Sequence, residues 1–184
     1  MAPELRASAG KKLKHVVLSN TILTTWQVNL LWQEMKESSQ LNSLNITGIN
    51  LSSVEPEMLA SIVNKMEKVN LWYSKLTTQQ VTVLCQVMKE NSQLKSLHLG
   101  WNNLSSVEPE LLASGLSKCE NLNVWNTKLT TEQVTALYKV LKMNNPLKCL
   151  NLEGNSLSGV EPHLLATVVS KMEEVSLGST KLTS

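Results

Sequence analysis

The chain has 184 residues, a formal net charge of +2 and 42% hydrophobic content, which excludes a disordered polyelectrolyte and places it among soluble globular chains. Cys85, Cys119 and Cys149 are odd in number and contain no CxxC pair, which argues against a disulfide framework or a zinc site and for a reducing compartment. The opening segment has no apolar stretch of signal-peptide type, and no run approaches transmembrane length, so no membrane association is expected.

Taken in chain order, Pro3, Glu4 and Leu5 stand 53 residues before Pro56, Glu57 and Met58, so the chain is expected to open part-way into a helix whose own strand is absent. Lys11, Lys12 and Lys14 beside His15 make one basic run, too short to indicate nucleic acid. From Leu13 onward the sequence repeats itself. LSSVEPEMLAS at Leu51 returns as LSSVEPELLAS at Leu104 and as LSGVEPHLLAT at Leu157, while LTTWQV at Leu23 returns as LTTQQV at Leu76 and LTTEQV at Leu129 and breaks off at Leu182. The landmarks are separated alternately by 28 and 25 residues, within the range of about 20–29 residues for leucine-rich repeats.

Each copy reads L-x-x-L-x-L-x-x-N/T-x-L. It runs through Leu94, Leu97, Leu99, Asn102 and Leu104, again through Leu147, Leu150, Leu152, Asn155 and Leu157, and in the other half through Cys119, Leu122, Val124, Thr127 and Leu129. Seven copies begin at Leu13, Leu41, Met66, Leu94, Cys119, Leu147 and Met172. Apolar residues two apart predict a short strand with one buried face, and only parallel stacking lets every copy bury the same face. The Asn or hydroxyl position is expected to turn inward and satisfy backbone groups of its neighbour; Ile49 departs from it.

After each landmark Leu the period becomes helical, as in Val81, Leu84, Cys85 and Met88. Thr24 with Gln27, Thr77 with Gln80 and Thr130 with Gln133 have capping-box spacing. The alternate half offers Ser52 with Glu55, Ser105 with Glu108 and Ser158 with Glu161, followed by Pro56, Pro109 and Pro162 in the first turn. Trp32 aligns with Cys85 and Tyr138 on the buried stripe, whereas Trp26 aligns with Gln79 and Glu132 and is expected on the outer surface.

Strand, turn and helix in two alternating half-repeats resemble the ribonuclease-inhibitor class of leucine-rich repeats and the C-terminal sensing arms of NOD-like receptors. The resemblance covers essentially residues 1–184 and implies one α/β solenoid: a curved horseshoe segment with parallel strands on the concave face and helices on the convex face. The 25-residue half is short for this class, which predicts a shorter helix or a tighter turn. Neither end has the polar closing repeat usual in solenoids, so a fragment of a longer array is expected, with end-to-end self-association as an alternative.

No Ser, Cys, His and carboxylate groups converge, no Gly-rich phosphate loop follows a strand, and His15, His98 and His163 fall in different columns; an enzyme, a cofactor or a metal site is therefore not expected. What varies between copies lies on the face that the strands turn outward. There Trp72, Tyr73, Trp101 and Trp125 gather in three central copies, rimmed by Lys68, Asn70, His98, Asn121 and Asn123. Trp and Tyr are enriched in binding hot spots, so these nine residues are the candidate ligand-binding surface. The alternative is that the rings pack on one another as cover for the loops. With the resemblance, they imply a binding module for a protein or peptide, the sensing arm of a cytoplasmic NOD-like innate immune receptor. A stand-alone enzyme inhibitor like ribonuclease inhibitor is the runner-up.

Overall fold

A computed structural model describes residues 13–90, 93–143 and 146–181. The alternation of apolar residues becomes seven three-residue strands: β1 (His15–Val17), β2 (Ser43–Asn45), β3 (Lys68–Asn70), β4 (Ser96–His98), β5 (Asn121–Asn123), β6 (Cys149–Asn151) and β7 (Glu174–Ser176). They pair in parallel in chain order without a register shift, so Val16, Leu44, Val69, Leu97, Leu122, Leu150 and Val175 stand in one row. That row faces the helices and is buried except at Val175, while the residues on either side of it face outward. Strands stack about 4.8 Å apart and helices about 8–10 Å apart, so a stack of this kind bends with its sheet inside.

The helices come in two lengths. α1 (Thr25–Glu37), α3 (Thr78–Glu90) and α5 (Thr131–Lys142) have 12 or 13 residues, and α2 (Pro56–Val63), α4 (Pro109–Leu116) and α6 (Pro162–Val169) have 8. The 25-residue half thus shortens its helix, as its spacing predicts. The capping boxes of the long helices form: Thr77 Oγ1 accepts from the Gln80 amide at 3.2 Å, and Gln80 Oε1 from the Thr77 amide at 2.9 Å. Those read for the short helices do not. The N-cap is Glu55, Glu108 or Glu161, because the residue before a proline is held in extended backbone and proline then starts the helix. Glu108 caps α4 with its own carboxylate, while Ser52 and Ser105 donate to the side-chain oxygens of Asn50 and Asn103.

Polar struts tie each copy to the one before it. Asn102 is buried; its Oδ1 accepts from the Leu76 amide at 3.0 Å and its Nδ2 donates to the Leu71 and Leu99 carbonyls at 2.8 Å. Asn155 repeats this against Leu129 and Val124. The capping glutamines do a second job: Gln80 Nε2 donates to the Leu51 and Val54 carbonyls, and Gln133 Nε2 to those of Leu104 and Val107. Lys65 and Lys171 place their ammonium groups on the carbonyls of Lys36 and Lys142, where preceding long helices end and the helix dipole favours a cation. Ile49, which departs from the Asn position, is simply buried.

Trp32 is fully buried and Trp26 is exposed, as their columns predict. Gly115 of α4 lies against α3, where an added Cβ would stand 2.7 Å from Cys85 Cα and 2.9 Å from its carbonyl oxygen. Gly115→Ala is therefore expected to destabilise by about 1–3 kcal/mol, although alanine favours helix by about 1 kcal/mol; a rise in the urea midpoint would contradict this close approach.

Along the edge where the strands begin, charges neutralise one another: Lys95 pairs with Glu67 at 3.0 Å and Lys148 approaches Glu173 at 3.8 Å. No helix among the described residues is long and apolar enough to cross a membrane. The readings placed on Pro3, Glu4 and Leu5, on Lys11 and Lys12 and on Leu182 lie outside the described residues.

Candidate functional site

The register sets the outward residues of the central strands in two rows, Lys68, Ser96 and Asn121 in one, and Asn70, His98 and Asn123 in the other. The backbone ladder runs on past the strands into the turns: the Tyr73 amide donates to the Gly100 carbonyl and the Trp101 amide to the Trp125 carbonyl, both at 2.9 Å. The turn residue is left-handed in every copy, at Asn20, Gly48, Tyr73, Trp101, Asn126, Gly154 and Ser179. Asn and Gly take this conformation readily; a bulky aromatic does not. Tyr73 at φ 54° and Trp101 at φ 59° are thus held where the repeat's own backbone favours other residues.

The four aromatic rings close into a ring of contacts. Trp72 stacks on Trp125 at 6.4 Å and 19°, Trp101 meets Trp125 edge-on at 5.8 Å, and Tyr73 touches Trp101 at 6.4 Å and Trp72 at 5.8 Å. Gly100 makes the stacking possible, since a Cβ there would stand 2.8 Å from Trp72 Cδ1 and 3.2 Å from the Trp125 carbonyl oxygen. The rings pack together without being buried: Tyr73 is 49% exposed, Trp101 45% and Trp125 36%. The apolar patch therefore has a fixed shape and an open surface.

The asparagine column does more than its outward position suggests. Asn70 Oδ1 accepts from the Trp72 amide and Asn123 Oδ1 from the Trp125 amide, both at 3.0 Å, as Asn45 and Asn151 do for Thr47 and Glu153. Their carbonyl oxygens are engaged in holding the two tryptophans, and the amide nitrogen is the other polar group of each side chain. His98 replaces asparagine in this column and is half-buried; burial holds its imidazole below the ordinary histidine range, so it is neutral at pH 7, with one donor and one acceptor nitrogen. Ser43, Asn45, Lys68, Asn70, Ser96 and His98 line a shallow depression of about 200 Å³ beside the aromatic patch.

Two features here were not visible in the repeat pattern. Gly100 reads as a gap in the column until the two indoles are seen to close over it. Lys75 and Lys128 are exposed and left-handed, at φ 52° and 58°, on the turns that follow Tyr73 and Trp125. Cys85 and Cys119 are buried, and burial pushes both thiols up to about 12, so neither is a nucleophile near neutral pH. No cluster of three or more His, Cys, Asp or Glu residues suited to a metal occurs among the described residues.

A family model described as Leucine Rich Repeat matches residues 93–114 and 146–168, two copies of the short half that carry Asn102 and Asn155. Ribonuclease inhibitor of Mus musculus is 29% identical over 170 residues, covering 90% of this chain and 31% of that protein. NACHT, LRR and PYD domains-containing protein 3 of Rattus norvegicus is 33% identical over 96 residues, covering 50% of this chain and 9% of that protein. The chain thus spans under a third of the one relative's length and under a tenth of the other's. With seven stacked strands, six helices and buried asparagines at two of the junctions, the described residues form a leucine-rich-repeat solenoid that resembles the ribonuclease-inhibitor-like class.

Proposed function

We propose that the chain is a non-catalytic protein-recognition module that binds a protein or peptide on its concave face, as part of a longer repeat array in the sensing arm of a cytoplasmic NOD-like innate immune receptor. The reading is carried by Tyr73 and Trp101, aromatic residues kept half-exposed in a left-handed backbone that their own repeat elsewhere gives to Asn, Gly or Ser. The fold imposes that conformation in every copy, and a residue that served only the fold would be one that takes it readily, as Asn and Gly do. The likeness to the rat NACHT-containing protein supports the receptor assignment.

Selecting a binder from a random 12-residue peptide library on the immobilised chain supplies a ligand for the test. Trp125→Ala and Trp101→Gly should each weaken that peptide by about 2 kcal/mol, roughly thirtyfold. Trp101→Gly should leave the melting temperature nearly unchanged, because relief of the left-handed backbone offsets the lost ring contacts. A fall in stability with undiminished peptide binding would instead make the aromatic patch cover for the turns.

The match to ribonuclease inhibitor over 90% of the chain favours a second reading, an inhibitor that wraps an enzyme. Titrating the chain into a ribonuclease assay separates the two: stoichiometric loss of activity selects the inhibitor.

A further inference from the structure

Two lysines, Lys75 and Lys128, stand on the turns that carry the aromatic patch, and a third, Lys68, opens β3 on the same outward face. Where the strands begin, Lys95 and Lys148 stand against Glu67 and Glu173. Lys68 on β3, and Lys75 and Lys128 on the turns beyond Tyr73 and Trp125, are exposed and belong to no ion pair among the described residues. The outward positions of β2 to β5 and their left-handed turn residues contain no carboxylate. The carboxylates nearest along the chain are Glu67 and Glu120, which precede β3 and β5 on the edge that also carries Lys95 and Lys118, and Glu108 and Glu132, which are engaged at helix starts, the first with the amides of Glu110 and Leu111, the second with its own backbone and Thr130. On the outward columns themselves, negative charge returns further along the array, at half-buried Glu153 beside Gly154 and at Glu174 of β7.

An apolar patch of fixed shape ringed by unpaired cations is complementary to one kind of segment. We propose that the surface over β3–β5 takes an acidic peptide segment bearing an aromatic or aliphatic side chain, the apolar group seated on Trp101 and Trp125 and the carboxylates facing Lys68, Lys75 and Lys128. This rests on the concave-face reading above and adds the chemistry of the partner. Rim charges of this sort act on partner selection and association rate more than on total affinity. Glu153 sets the limit of the acidic stretch, since a carboxylate carried past Trp125 would meet it.

Two 12-residue peptides with identical apolar residues, one with four Glu and the other with four Lys, test this by isothermal titration against the full chain. The acidic peptide should bind about tenfold or more tightly than the basic one in 50 mM salt, with the margin shrinking in 500 mM salt as screening increases. The double variant Lys75→Glu with Lys128→Glu should reverse the order while keeping the melting temperature, because both lysines are exposed and unpaired. Equal binding of both peptides, each lost in Trp125→Ala, would overturn the acidic preference and leave concave recognition standing. Preference for the basic peptide, or an acidic preference untouched by the charge reversal, overturns the proposal. If neither peptide binds, or binding ignores Trp125→Ala, the proposal falls together with the site.

Discussion

Asn155→Ala should lower stability by about 4 kcal/mol, and Asn102→Ala by nearly as much, even though alanine is fully compatible with burial. The Asn155 side chain accepts from the amides of Thr127 and Leu129 at 3.1 and 3.0 Å and donates to the Val124 and Leu152 carbonyls at 2.7 and 3.0 Å. Removing it leaves two buried amides without that acceptor, each at about 1–3 kcal/mol, together with a cavity in a closely packed turn. Asn155→Asp restores the acceptor and loses the donors, so it should fall between parent and alanine. At the same column Thr180 is half-buried and bonds only to the carbonyl three residues before it, so Thr180→Ala should cost less than about 1 kcal/mol. Urea midpoints for the four variants test the set; an Asn155→Ala midpoint equal to that of Thr180→Ala would remove the strut from the account of stability.

The next largest effect is expected in the strand row. Leu97 and Leu150 are buried at the centre of β4 and β6, packed between sheet and helices, and truncation of either should cost about 2–5 kcal/mol. Ser96 is one residue from Leu97 and on the other face, so Ser96→Ala should change the midpoint hardly at all. The contrast between adjacent residues is what makes the measurement informative: a register slipped by one would invert it.

Much of this architecture is legible in the sequence because its determinants are periodic. Alternate apolar residues mark the strands, the 28- and 25-residue spacings separate long from short helices, and Trp32 is placed in the core by its alignment with Cys85 and Tyr138. What periodicity cannot report is which distant backbone group lies within hydrogen-bond reach. Gln80 reads as half of a capping box three residues wide, yet its amide nitrogen is spent on Leu51 and Val54, 29 and 26 residues away. The caps of the short helices differ from the expectation for a related reason: Ser52 and Ser105 have capping spacing, but the proline that follows Glu55 and Glu108 is itself the first helical residue and makes the glutamate before it the N-cap.

The candidate site divides along the same line. Its aromatic members stand out because they interrupt columns otherwise filled by small or polar residues, and the structure brings all four into contact. Asn70 and Asn123 look, in sequence, like free outward amides; the geometry gives half of each side chain to the backbone of the tryptophan two residues on. That assignment also explains why the indoles keep a fixed arrangement while exposed. Lys75 and Lys128 carry no periodic signal, since a lysine after a turn is set apart only by its φ and by its lack of an ion pair among the described residues.

The asparagine, glutamine and lysine struts all point one way, from a copy to the one before it, while the Thr131 hydroxyl reaches forward, to the Ser158 carbonyl. Asparagine and lysine from a short-helix copy grip the long-helix copy before it, and glutamine from a long-helix copy grips the short-helix copy before that. A lone copy inserted or deleted would set like against like, with donors facing carbonyls that are not where they reach. An array wired in this manner has an indivisible growth step: it can lengthen or shorten only by matched pairs, 53 residues at a time, and each added pair advances the concave surface by two strands, about 10 Å. Ligand size and array length are therefore coupled in coarse increments, and fine adjustment to a partner is left to side chains on the open face.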